Sequence, residues 1–362
     1  MRIGIVASDI YPSRGGLELH AYNLASGLTE AGHDVIAYVR MGDASREHNG
    51  RFWVVRGVSP FNIGGLLRQD HVEALHGQGA RSVLVAVALI VAHRRGLRTL
   101  FTPHCFYPPH DLAGRLKRIA FDNTLGRGAF AASDVLICAT QNDLKDSLQL
   151  GARLETAIMI PNSIRMPIPL SAADAMNWAN RNGLGRFLLS VGRLDRVKRG
   201  DFLIRALPYL DSDVVLVFVG PDAGRRQQWE QLARELNLGE RVRFLGELPD
   251  DQVRAAYQSS SLFVMASRYE GLPTVILEAM AFGVPVVAAR TGGIGYLLEH
   301  AKTGFLFEYD DLRAYCQLVN ECLRGDLSSV VRSAQEVVRR EYSWESNLQR
   351  IIGLYEKDGV EH

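Results

Sequence analysis

Cysteine is scarce: Cys105, Cys138, Cys316 and Cys322 are the four in 362 residues, with no C-x2-C pair and no histidine-rich surroundings. That argues against a zinc cluster and a disulfide framework, and reads as free thiols in a reducing compartment. Charge of one sign is lacking as well. With 41 Lys+Arg against 40 Asp+Glu the net charge is +1, without the basic excess of a nucleic-acid binder, and no nucleic-acid partner is expected. Long apolar runs are missing: the longest, 83–92, stops at His93-Arg94-Arg95, whereas a membrane span needs about twenty residues. The chain opens with Arg2-Ile3-Gly4-Ile5-Val6-Ala7 directly before Ser8-Asp9, so no signal peptide is expected and a cytoplasmic location is. The G-x-G-x-x-G of dinucleotide binders is absent, which disfavours an oxidoreductase.

What remains is a strand–helix alternation repeated twice. Apolar runs at 1–7, 35–39, 52–55, 100–102, 134–139 and 157–160 read as strands, with helices at 17–31 and 83–93. A β-α-β opening predicts a doubly wound parallel sheet, whose ligands bind beyond the carboxyl ends of the strands. The Gly15-Gly16 pair after the first strand would let an anion approach a helix start, or is simply a turn. His104, just after the strand at 100–102, is placed at the mouth of that sheet. Residues 166–186, with Pro167, Pro169 and Asn180-Arg181-Asn182-Gly183, read as an interdomain linker. The rhythm resumes with strands at 187–191, 214–219, 242–245, 261–266 and 284–288 and helices between them. The division expected is a first domain 1–165, a linker 166–186, a second domain 187–342, and a last helix in 343–362.

The most informative stretch is Arg268-Tyr269-Glu270-Gly271-Leu272-Pro273-Thr274-Val275-Ile276-Leu277-Glu278-Ala279-Met280. It joins a buried strand to a helix: Thr274 is the expected N-cap, Pro273 is preset for helix entry, and Gly271 permits close backbone approach. Such a helix N-terminus suits a phosphate. Glu278 sits one turn inside, about 6 Å along the axis from Thr274 at 1.5 Å per residue. Taken alone, it is an acid that suits the helix dipole.

Glu270 and Glu278, within E-G-L-P-T-V-I-L-E-A-M-A and followed by Gly283 and Pro285, resemble the E-x7-E signature of retaining glycosyltransferases of family 4, which have the two-domain GT-B fold. Gly192-Arg193-Leu194-Asp195-Arg196-Val197-Lys198-Arg199-Gly200 is similar to the family's G-R-x-x-x-x-K-G element, with Arg199 inserted before the last glycine. The resemblance implies an α/β protein of two Rossmann-like domains and a nucleotide-diphospho sugar as donor. Arg193 and Lys198 would clasp the donor pyrophosphate, where cations stabilise the charge that grows on the leaving group. Asp195 and Arg196 would be silent neighbours in the same loop. Glu278 would hold ribose hydroxyls, Glu270 would contact the sugar near the reacting carbon, and His104 would face the sugar's other side. Gly271, Leu272 and Thr274 would offer backbone N–H groups, with Pro273, which has none, setting the turn between them, while Gly220 and Leu245 are further donor-site landmarks and Thr291-Gly292-Gly293 is similar to a family turn.

No cofactor and no metal are expected; Asp211-Ser212-Asp213 matches D-x-D but lies at a strand start, away from a sheet-end ligand. The acceptor implied is a saccharide or lipid-linked saccharide of surface polysaccharide, lipopolysaccharide or glycolipid synthesis. Arg115, Lys117, Arg118 and Arg127 read either as a solvated face or as a docking face for anionic lipid or a phosphorylated acceptor. Two alternatives stay open: a nucleotide-sugar epimerase of the same fold and a non-catalytic nucleotide-binding protein.

Overall fold

Strands that are apolar on both faces need cover on both, and parallel strands joined through helices provide it. In the computed structural model, which describes residues 1–10, 16–104, 106 and 112–356, this happens twice. One unit is Met1–Asn162 completed by the C-terminal stretch from Glu345, and the other is Ser163–Trp344.

The first unit runs β1 (Arg2–Ala7), α1 (Gly16–Glu30), β2 (Asp34–Val39), β3 (Ser45–His48), β4 (Trp53–Arg56), α2 (Ile63–Gln69), β5 (Ala74–Gln78), α3 (Val83–His93), β6 (Arg98–Thr102), α4 (Leu112–Phe121), α5 (Arg127–Ala131), β7 (Val135–Cys138), α6 (Gln141–Gln149) and β8 (Ala157–Met159). The sheet order is β3-β4-β2-β1-β5-β6-β7-β8, with only the β3–β4 pair antiparallel. The sequence reading passes over β5 because His76, Gly77 and Gln78 interrupt its apolar character, yet every one of its residues is buried. His76 is satisfied inside the unit by Tyr355 Oη and Thr102 Oγ1, each at 2.7 Å. Gly77 lets α3 close on the strand, since a Cβ there would lie 2.8 Å from Val85. The basic stretch that carries Arg115, Lys117, Arg118 and Arg127 forms α4, a π-helical turn (Asp122–Gly126) and α5.

The second unit runs α7 (Ala172–Arg181), β9 (Phe187–Val191), α8 (Gly200–Ala206), β10 (Val215–Val219), α9 (Arg226–Glu235), β11 (Val242–Gly246), α10 (Asp250–Ser259), β12 (Leu262–Met265), α11 (Thr274–Ala281), β13 (Val286–Ala289), α12 (Ile294–Leu297), β14 (Phe305–Phe307), α13 (Leu312–Arg324) and α14 (Ser328–Glu341). All pairs are parallel, in the order β11-β10-β9-β12-β13-β14. One face packs Leu189, Val217, Phe263 and Val286 under Ile276 and Met280; the other packs Leu188, Leu216 and Val264 under Phe202, Trp229 and Tyr315.

The stretch expected as a linker is not one. Ala175, Trp178 and Ala179 are buried at i, i+3 and i+4 spacing on α7, and Trp178 and Ala179 join the core of the second unit. The last helix, α15 (Trp344–Glu356), leaves that unit: Leu348 lies on Gly27, where a Cβ would meet it at 2.6 Å, and the Leu354 carbonyl accepts from Arg98 Nη2 at 3.2 Å.

Candidate functional site

Strand order reverses in the second sheet between β9 and β12, which are direct neighbours through Leu188↔Leu262 and Leu189↔Phe263. In open α/β sheets ligands bind beyond the carboxyl ends of the strands at such a switch point. The loop after β9 carries Lys198, and the loop after β12 carries Glu270. They meet: Lys198 Nζ is 2.7 Å from Glu270 Oε1, with the lysine side chain 21% exposed and the glutamate side chain 9%. The backbones are tied as well, the Arg268 N–H donating to the Val197 carbonyl at 2.8 Å.

Local chemistry shapes the first loop. Asp195 Oδ1 accepts the N–H groups of Val197 at 2.9 Å and Lys198 at 3.0 Å, an Asx turn that aims the lysine. Asp195 thus holds the backbone of this loop in its turn, a structural contact that the sequence reading does not assign to it. Arg193 is exposed, its Nη2 lying 3.5 Å from Asp195 Oδ2. Arg199 stands where the family pattern has glycine and takes a left-handed φ of 52°. Asp310 at 2.8 Å and Asp201 at 3.4 Å hold its guanidinium. Glycines let the strand ends approach each other: Gly220, at φ 138°, donates its N–H to the Gly246 carbonyl at 2.7 Å, and a Cβ on it would overlap the Gly192 carbonyl. Leu245 is the extra residue of a bulge in β11, because Phe218 pairs with Phe244 and Val219 with Gly246.

The second loop is held from behind. The Glu270 carbonyl accepts the Gly293 N–H at 2.9 Å, and Thr291 Oγ1 donates to the Ser267 carbonyl at 2.8 Å. Gly292, at φ 51°, has no room for a Cβ beside the Glu270 backbone. Pro273, not Thr274, is the N-cap of α11, and Thr274 is its first residue; no side chain caps the helix. Gly271 and Leu272 lead into it, Leu272 being buried. The Ile276 N–H of the first turn donates to the Pro273 carbonyl at 3.1 Å, and the N–H groups that precede it in the turn have no intrahelical acceptor.

Glu278 lies in the same helix, and Tyr257 of α10 donates its hydroxyl to Glu278 Oε2 at 2.8 Å. Burial pushes the Glu278 carboxyl up from its ordinary value, and the tyrosine bond partly opposes that. Tyr257 is fixed by stacking on Phe263 and Phe282, with centroids at 5.9 Å and 5.4 Å. Nothing near Tyr257 in the sequence signals this contact, which is made between different helices.

His104 belongs to the first unit. It follows β6 with a φ of 59°, its Nε2 is 2.6 Å from Gln78 Oε1, and its ring meets His20 edge-on at 4.8 Å. Burial, with His20 and His76 nearby, holds its imidazole well below the ordinary histidine range. It is neutral at pH 7, with Nε2 carrying the proton and Nδ1 left as an acceptor. Gly16 is the first residue of α1; Gly15 lies outside the described residues. Asp211 accepts from Arg186 at 3.3 Å and Arg324 at 2.8 Å, which gives the D-x-D letters a structural role.

Residues 176–337 match the family Glycosyl transferases group 1, and residues 14–166 match Glycosyltransferase Family 4. The GPI3 subunit of phosphatidylinositol N-acetylglucosaminyltransferase from Saccharomyces cerevisiae is 24% identical over 380 residues, spanning 98% of this chain and 82% of its own length. The D-inositol 3-phosphate glycosyltransferase of Acidothermus cellulolyticus is 29% identical over 241 residues, which is 62% of this chain and 53% of that one. Among solved structures, Anabaena HepE in complex with UDP and glucose superposes with a TM-score of 0.83 at 21% identity, over 98% of this chain and 99% of that one. Sucrose-phosphate synthase from Thermosynechococcus elongatus gives 0.82 at 20% identity, over 98% of both. These likenesses establish the GT-B fold, and the two family matches account for most of both units. The chain belongs to the family 4 glycosyltransferases of GT-B architecture.

Proposed function

We propose that this glycosyltransferase is a retaining, metal-independent enzyme that moves a hexose from a nucleotide-diphospho sugar to a lipid-linked acceptor. The observation that carries the reading is the Lys198–Glu270 contact at the switch point, with Glu278 on the helix that follows. Arg193 and Lys198 bear on the donor pyrophosphate, Glu278 accepts ribose hydroxyls, and Glu270 faces the sugar beside the reacting carbon. Gly271, Leu272 and Thr274 supply backbone N–H groups, and Gly220 and Leu245 line the nucleotide. Of the GDP- and UDP-linked donors, the UDP and glucose in the HepE complex favour UDP. Phosphatidylinositol and D-inositol 3-phosphate in the names of the relatives favour an inositol-phosphate acceptor in glycolipid synthesis over polysaccharide or lipopolysaccharide.

In this mechanism the sugar–phosphate bond breaks while the acceptor oxygen bonds to the same face of the anomeric carbon. The acceptor proton passes to an oxygen of the leaving phosphate. Lys198 and Arg193 stabilise the charge that the phosphate gains, so no metal is needed. An epimerase would consume donor without acceptor, and a binding protein would release no nucleotide; acceptor-dependent release of nucleoside diphosphate separates the three.

Two expected results test the assignments. Glu278→Ala weakens nucleoside diphosphate binding by roughly 1.5–3 kcal/mol, the range for a hydrogen bond to a charged group. Calorimetry with UDP and GDP measures it, and unchanged affinity in a folded variant removes the ribose assignment. Because burial raises the Glu278 pKa, its charged form is lost at a higher pH than for an ordinary glutamate. Nucleotide affinity therefore falls earlier on acidification in the wild type, and Glu278→Gln flattens that limb. The stability term has the opposite sense: it is fully present below the ordinary pKa and is lost as pH rises through the raised one.

The second result concerns a membrane surface. No helix among the described residues is long and apolar enough to cross a bilayer. On α4, however, Leu112, Leu116 and Ile119 are 71%, 62% and 56% exposed at i, i+4 and i+7, flanked by Arg115, Lys117 and Arg118. This pattern suits peripheral binding to anionic lipid at the inner face of the membrane, at about 1 kcal/mol per basic residue. Co-sedimentation with phosphatidylserine vesicles should drop sharply from low to high salt and in Leu116→Ser. No binding at low salt ends the idea.

A further inference from the structure

On the second unit, a groove along α8 and α9 encloses about 870 Å³, within the range of roughly 300–1,000 Å³ typical of small-molecule sites. Its walls carry Arg196, Arg199, Arg205, Arg225, Arg234 and Arg268, against two carboxylates, Asp201 and Glu235. Arg199 is neutralised by Asp310 and Asp201. Among the described residues, the side chains of Arg225 and Arg234 hydrogen-bond only to the neutral side chains of Gln228 and Gln231, which leave their charge in place. The side chains of Arg196, Arg205 and Arg268 have no hydrogen-bond or ion-pair partner among the described residues. The floor is rigid: Trp229, 4% exposed, packs so closely on Gly200 that a Cβ there would overlap its ring.

Gathering guanidinium groups without counter-charges raises the energy of the empty groove, and a polyanion relieves it. Arginine forks match phosphate oxygens two at a time, which a flexible lysine head does not. None of Gly192, Arg193, Lys198, Glu270 or Glu278 lines the groove, so it is not the switch-point crevice. The two are nevertheless coupled mechanically. Arg196 is in the Lys198 loop, Arg268 is in the Glu270 loop, and the Arg268 N–H to Val197 carbonyl bond joins these loops. We propose that the groove is a second binding site, specific for a ligand with two or more phosphate groups, whose occupancy braces the two loops. The inference stands on the groove and does not depend on the donor reading.

Inorganic tripolyphosphate titrated calorimetrically into the full chain tests it. Arg205→Gln/Arg234→Gln, both exposed helix positions, should weaken one binding component at least tenfold. Arg193→Gln, in the crevice loop, should leave that component within twofold, as should Arg332→Gln/Arg339→Gln on α14, which removes the same charge elsewhere. Loss in Arg193→Gln alone would assign the binding to the crevice, and equal loss in the α14 variant would make it diffuse charge; either overturns the proposal. A parallel arm with vesicles containing a phosphorylated phosphatidylinositol identifies the source. Binding there, absent with tripolyphosphate and abolished by Arg205→Gln/Arg234→Gln, makes the ligand a lipid headgroup. Binding in neither arm rejects the site.

Discussion

Lys198→Ala should lower turnover at saturating donor by roughly 10²–10³-fold, the scale on which one preorganised electrostatic group acts. Only interactions that strengthen as the leaving group departs speed the chemical step, so the loss falls mainly on kcat and less on KM. The loop taken alone gives no reason for a change in stability, but the structure does. Removing the lysine strands Glu270, 7% exposed, without the cation 2.7 Å away. Breaking a fully buried pair costs about 3–5 kcal/mol, and the partly exposed lysine places this one at the lower end or below. The melting temperature should therefore fall in Lys198→Ala and recover in Lys198→Ala/Glu270→Gln, while turnover stays low in both. A double variant that regains turnover would mean the lysine only neutralises Glu270, and the phosphate role would be lost.

Gly292→Ala should be nearly as damaging, although Gly292 is not expected to touch substrate. The added methyl overlaps the Glu270 backbone, and the φ of 51° is strained for any residue with a Cβ, at about 1–3 kcal/mol. Relief requires the Glu270 loop to move, and a misplacement near 1 Å at a reacting group costs about 10²-fold. Turnover should drop by about that factor with a lower melting temperature, while nucleoside diphosphate affinity, assigned under the proposed function to Glu278 and the Arg193–Lys198 loop, changes only a few-fold. Gly295→Ala is the control: its Cβ would have ordinary contact at 3.6 Å with Arg290, and alanine in a helix is better by about 0.8–1.0 kcal/mol. If Gly292→Ala keeps wild-type turnover, the turn does not position Glu270.

Legibility was uneven for physical reasons. Strands β10 and β12 are continuous apolar runs, and β9 is one broken only by Ser190, so they could be read directly, since burial on both faces favours that composition. Strand β5 could not, because its His76 is acceptable in the core only once Thr102 and Tyr355, 279 residues further on, supply partners. The α7 stripe of Ala175, Trp178 and Ala179 was present in the letters but masked by the polar residues around it. Asp195 carried a legible signal, an aspartate two and three residues before the N–H groups it accepts, whereas Tyr257 carried none.

By itself the sequence determined the two-fold α/β rhythm, the absence of a dinucleotide fingerprint, and the pairing of E-x7-E with an Arg–Lys loop, because these depend on local periodicity and on letters close together. Only the tertiary structure decided what those letters touch. Strand order places the Lys198 and Glu270 loops side by side across a gap of 72 residues, turns Tyr257 onto Glu278, and gathers six arginines from α8, α9, the loops that lead into them and the loop after β12 into one groove. Local propensity extends over a few residues; contacts between distant ones are set by which strands are neighbours in the sheet, and that order comes from packing of the whole domain.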